Sequence, residues 1–73
     1  MEEIVLGKWV IKYPDTLSCI FDEKKEKIIF VTNEYDEIHL VIEVLNGKLV
    51  FQPRWSVSIT ELDKFTYEIG TNN

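Results

Sequence analysis

The sequence predicts an all-β domain, and three observations carry that prediction. Alanine is absent, while Val, Ile and Thr together make up 21 of the 73 residues. Alanine is the strongest helix former, and β-branched side chains favour the pleated sheet. Short runs that alternate apolar and polar residues recur along the chain, separated by turn residues. Between two of these runs stands Asn46-Gly47, the strongest short-range signal for a two-residue type I′ hairpin.

The first run covers residues 5–13, where Trp9, Ile11 and Tyr13 alternate with Lys8, Val10 and Lys12. Tyr13-Pro14-Asp15-Thr16 reads as a turn with proline at its second position. The second run, 17–22, sets Leu17, Cys19 and Phe21 on one face; residues 23–27 are a charged loop. A third run, 28–32, is apolar on both faces and ends in a turn at 33–36. Residues 37–45 alternate, with Ile38, Leu40, Ile42 and Val44 on one face and Glu37, His39, Val41 and Glu43 on the other. Folding back at Asn46-Gly47 pairs Leu45 with Lys48, Val44 with Leu49 and Ile42 with Phe51. Each pair shares a face, so turn and pattern agree on one register.

Pro53-Arg54 ends that strand. Trp55, Val57 and Ile59 then alternate with Ser56, Ser58 and Thr60, which places Trp55 inward, and Phe65, Tyr67 and Ile69 alternate with Thr66 and Glu68. Holding Ile59 and Phe65 on one face needs an odd-length connection, which Glu61-Leu62-Asp63 supplies. Thr60-Glu61-Leu62-Asp63 also fits a capping box, so at most one helical turn is expected, near 60–63. Residues 70–73 read as a tail. The expectation is a single domain over 1–73, a meander of six to seven short strands or a partly closed barrel that removes exposed edges.

Size and composition bound the rest. A chain of 73 residues holds one thin core, which excludes a two-domain enzyme, a dinucleotide-binding fold or a solenoid. A single cysteine forms no internal disulfide, and the acidic start Met1-Glu2-Glu3 lacks the basic and apolar regions of a signal peptide. Both point to a reducing, cytoplasmic setting. No apolar run approaches the roughly 20 residues that span a bilayer, so no membrane is expected. A net charge of −5 does not attract a phosphate backbone. The basic cluster Lys24, Lys25 and Lys27 is interleaved with Glu23 and Glu26, so nucleic acid is not the expected partner. The excess of lysine over arginine, seven to one, and the abundance of isoleucine suit an AT-rich coding genome, such as that of a low-GC bacterium or its phage.

Gly7-Lys8-Trp9 resembles the Gly-x-Trp signature that opens lipocalin-like (calycin-type) barrels, and the later strand pattern around 55–59 and 65–67 resembles their closing strands. Full lipocalins are about twice as long, and no arginine follows the last strand here. The resemblance implies a small β-barrel whose tryptophan plugs one end. A ligand cavity, if present, would be lined by Trp9, Tyr13, Trp55 and Tyr67.

Chemistry-bearing residues are sparse. His39 is the only histidine and falls on the outer face of its strand. A zinc site wants three or four ligands, and no spacing supplies them. Cys19 falls on an inner face, opposite to His39, which leaves it without the base a thiolate needs. Glu34, Asp36 and Glu37 lack the spacing of a calcium loop. No catalysis, metal or cofactor is expected. Val10, Ile20, Val41 and Val50 are apolar at outer-face positions, and a contiguous apolar patch marks an interface. Arg54 beside Trp55 adds two residue types enriched at binding hot spots. The expected function is a small acidic module that binds another protein, or itself as a homodimer, in a bacterial or phage accessory or inhibitor role. Val41, Val50, Arg54 and His39 are its candidate contacts. Alternatives are a lipocalin-like small-ligand binder and a structural homo-oligomer.

Overall fold

A computed structural model describes residues 1–34, 36–55 and 57–71. Eight strands succeed one another: β1 (Glu2–Leu6), β2 (Trp9–Tyr13), β3 (Leu17–Asp22), β4 (Lys27–Thr32), β5 (Ile38–Leu45), β6 (Lys48–Pro53), β7 (Val57–Asp63) and β8 (Thr66–Thr71). They form two open four-stranded sheets, a terminal sheet in the order β1-β2-β8-β7 and a middle sheet in the order β3-β4-β5-β6. The core is shared between them. Leu6, Trp9, Ile11 and Ile69 come from the terminal sheet, and Leu17, Ile28, Phe30, Leu40 and Ile42 from the middle one. The molecule is therefore a face-to-face sandwich rather than a closed barrel.

The middle sheet is the expected antiparallel meander, and its 45–48 hairpin has the expected register. Asn46 and Gly47 adopt φ of 54° and 74°, the left-handed values a type I′ turn requires.

The terminal sheet differs from a meander. β8 lies between β2 and β7 and pairs with β2 in parallel, aligning Val10 with Thr66, Ile11 with Tyr67 and Lys12 with Glu68. Parallel neighbours need a long crossover, and here the entire middle sheet together with β7 forms it.

The structure corrects or narrows four sequence expectations. The run 5–13 is two strands, because Gly7, at φ 62°, opens a two-residue turn with Lys8 and folds β1 back on β2. This raises the strand count to eight and makes Gly7 a hairpin residue. The segment 60–63 is strand, not helical turn. β7 runs to Asp63, bulges between Glu61 and Asp63, and turns at Lys64-Phe65, where the Asp63 carboxylate accepts the Phe65 N–H at 2.9 Å. Ile38 leaves the inner face. A bulge at the β4–β5 ladder sets Phe30 opposite Leu40 but Val31 opposite Ile38, skipping His39, and Ile38 is 41% exposed. Gly70 and Thr71, expected in a tail, belong to β8. Tyr35 of the 33–36 turn, Ser56 and residues 72 and 73 lie outside the described residues.

Candidate binding face

The registers of the middle sheet determine which side chains lie together on its solvent face. Leu17, Leu40 and Ile42 point into the core, so their neighbours along each strand point out. Three rows result. Ser18, Val31 and Ile38 form the first; Ile20, Ile29, Val41 and Gln52 the second; Asp22, Lys27, Glu43 and Val50 the third. The first two rows make a largely apolar band across β3, β4 and β5, with Gln52 of β6 at its edge. The third row is a charged border, tied to the second by a 2.9 Å hydrogen bond from Gln52 Nε2 to Glu43 Oε1.

Within this band Ile20 is 57% exposed and Val41 only 5%. Val41 thus acts as the floor of the face. Ile20 and Ile38 at its two sides are what a partner would touch, with Ile29, Val31 and Val50 half-buried. Of the four apolar outer-face residues picked out by alternation, Ile20, Val41 and Val50 share this face. Val10 does not. It pairs with Val5 on the far side of the terminal sheet.

At the bulged end of the band the chain leaves β6 for the other sheet. His39 C=O accepts the N–H groups of Arg54 at 2.8 Å and Trp55 at 3.4 Å, hooking the crossover onto β5. The rings of His39 and Trp55 lie 6.4 Å apart. Asp36, Glu37, Ile38, Arg54 and Trp55 line an open groove of about 560 Å³. The structure therefore brings together His39, Arg54 and Trp55, and sets them against two acids and the displaced Ile38. His39 Nδ1 is buried and has no hydrogen-bond partner among the described residues.

Trp55 is 57% exposed, which overturns its expected inward position. The alternation assumed a strand starting at Trp55, but β7 begins at Val57, and Trp55 belongs to the crossover. The other three residues of the expected ligand cavity pack in or against the core between the sheets. Trp9 lies in the core. Tyr13 meets Phe30 edge-on at 5.1 Å, and Tyr67 meets Phe51 edge-on at 5.2 Å, each bridging the two sheets.

Cys19 faces the interior, and its Sγ lies 3.5 Å from the Tyr13 hydroxyl. That hydrogen bond, together with burial, pushes the Tyr13 phenol up to about 12. Tyr67 is also raised, chiefly by burial and then by its hydrogen bond to Glu61. Among the described residues no group of three or more His, Cys, Asp or Glu side chains is placed to hold a metal ion. Nor is any helix there long and apolar enough to cross a membrane.

Two features of this face escaped sequence reasoning. The inward assignment of Ile38 failed because a bulge leaves no mark in an alternating pattern. The participation of Ile29 and Val31 did leave a signal, since the run 28–32 is apolar on both faces. Comparison with protein-family models, curated proteins and solved structures finds no match to this chain. The class of molecule is thus defined by its architecture, an eight-stranded two-sheet sandwich carrying an apolar outer face.

Proposed function

We propose that this chain is a non-catalytic protein-binding module that uses the outer face of the middle sheet. The observation that carries the reading is the apolar band Ile20–Ile29–Val41 with Val31 and Ile38, bordered by charge and continued by the exposed Trp55. A contiguous apolar patch edged with polar residues is how interfaces are built, and tryptophan and arginine are their commonest anchors. The net charge of −5 favours a partner with a basic rim. A bacterial or phage accessory or inhibitor role in the cytoplasm suits the composition. For the lipocalin-like alternative, Trp9, Tyr13 and Tyr67 pack in or against the core between the sheets.

The test is differential capture. Wild type and the double variant Ile38→Lys/Trp55→Ala are used as bait under identical conditions, and retained proteins are quantified. A partner held by wild type and reduced about tenfold or more with the variant supports the reading, since losing hot-spot contacts costs at least ~1–2 kcal/mol. Identical retained sets would refute it.

A further inference from the structure

Two open sheets leave four strand edges, β1, β7, β3 and β6. Unpaired edges invite strand addition, and proteins guard them with charge, proline or bulges. β1 opens with exposed Glu2 and Glu3. β6 starts at exposed Lys48 and ends at Pro53. β7 bulges between Glu61 and Asp63. β3 has no such guard along Leu17–Phe21. It pairs with β4 without a bulge over all six residues and carries a charge only at its last position, Asp22. Apolar side chains are exposed at successive positions, Ile20 at 57% and Phe21 at 43%.

The hydrogen-bond phase says which backbone groups of this edge are free. Asn33 N–H donates to Thr16 C=O at 3.2 Å, in register with the β3–β4 pairs. In an antiparallel ladder such bonding alternates. Ser18, Ile20 and Asp22 therefore aim their backbone groups at β4, while Cys19 and Phe21 aim theirs outward. Leu17 N–H is already bonded to Pro14 C=O.

We propose that β3 pairs antiparallel with β3 of a second copy, about a twofold axis at Ile20. In this register Cys19 and the partner's Phe21 exchange N–H···O=C bonds, and the symmetric pair does the same. Ile20 meets the partner's Ile20 as a non-hydrogen-bonded pair, the arrangement that brings side chains closest. Ser18 meets the partner's Asp22, and no like charges face each other. The loop 23–26, in which Lys24 and Lys25 are balanced by Glu23 and Glu26, comes to the end of the strand that begins after the partner's Asp15. The occupant is a second copy because the outward backbone groups and the exposed Ile20 of this edge complement themselves under the twofold rotation with no like charges opposed. The two middle sheets join into one, and the row Ile20–Ile29–Val41 continues across the axis. The surface used is the strand edge; it shares Ile20 with the face proposed above and widens that face.

Sedimentation of the full chain over a range of concentrations is the first test, with circular dichroism confirming that each variant folds. Wild type shows a monomer–dimer equilibrium. Phe21→Pro removes an outward N–H and spares the internal ladder. Ile20→Lys sets like charges opposite each other at the axis. Each weakens dimerisation by about tenfold or more, as expected for losing hydrogen bonds or gaining repulsion on both sides of the axis. The second test is oxidative cross-linking. Cys19→Ser/Ile20→Cys gives a covalent dimer, and Cys19→Ser/Leu45→Cys does not. A wild type that stays monomeric at every concentration overturns the proposal, as does a dimer that both variants leave unchanged. Cross-linking of wild type through Cys19 overturns the Ile20 axis. The Ile38→Lys/Trp55→Ala variant keeps the dimer, so failure of the face and failure of the edge are separable.

Discussion

Trp9 and Trp55 are the same side chain in opposite settings, one at the centre of the sandwich and one on a crossover. Trp9 is 9% exposed and Trp55 57%. Trp55→Phe should remove the red-shifted, acrylamide-quenchable part of the emission and change stability by less than about 0.5 kcal/mol, because surface substitutions away from special contacts are nearly neutral. Phe30→Ala should cost about 3–5 kcal/mol, read by urea denaturation, because Phe30 is fully buried between the sheets. Tyr13 gives a pH dependence. Its phenol titrates near 12 when folded, against 10.0 for the ordinary group. The raised value means that folding favours the neutral form. That contribution is complete below pH 10 and is lost as pH climbs toward about 12. Tyr13→Phe should flatten this alkaline loss in denaturation experiments from pH 9 to 12, and an unchanged slope would show that another group is responsible.

At the scale of the element, turns decide where strands stop. Gly47, at φ 74°, holds the second turn position of the β5–β6 hairpin. A side chain there pays the left-handed penalty, so Gly47→Val should destabilise by about 1–2 kcal/mol in thermal or urea unfolding. The Asn46-Gly47 hairpin was legible because pattern and turn chemistry agreed over several residue pairs. The Gly7-Lys8 hairpin was not, because Leu6, Gly7, Lys8 and Trp9 also read as one strand opening with a Gly-x-Trp motif. The β7–β8 turn misled for a different reason. Thr60 to Asp63 has the residue types of a helix cap, but Asp63 uses its carboxylate on the Phe65 N–H within a hairpin. That hydrogen bond holds the exposed Asp63 carboxyl below its ordinary 3.8. A lowered folded value stabilises above pH 3.8 and is lost as pH falls further. Asp63→Asn should therefore blunt any acid loosening of this hairpin, followed by amide exchange of Phe65.

On the scale of the whole molecule, the terminal hairpins meet only because the chain ends come together. β2 and β8 are adjacent in space and separated by the full middle sheet in sequence. Contacts of such high sequence separation close late and slowly, so folding in the millisecond-to-second range is expected from stopped-flow mixing. Removing residues 64–71 deletes Ile69 and the strand on which both β2 and β7 rely. The shortened chain should lose cooperative thermal unfolding, and a sharp transition in it would show that the middle sheet is stable alone.

The sequence by itself determined the all-β class, the middle meander, its hairpin register and most of its core, including Ile11, Leu17, Leu40, Ile42 and Ile69. Those features follow from alternation and local turn chemistry, which act between near neighbours. Tertiary structure alone decided the parallel β2–β8 pair, the exposure of Trp55 and the shift of Ile38 onto the outer face. Each depends on which sheet a strand joins or where a ladder slips, and residues far apart in the chain settle that by packing. The candidate face is an example of both. Ile20, Val41 and Val50 were visible as apolar residues in outward positions, but only the pairing of four strands made them one surface.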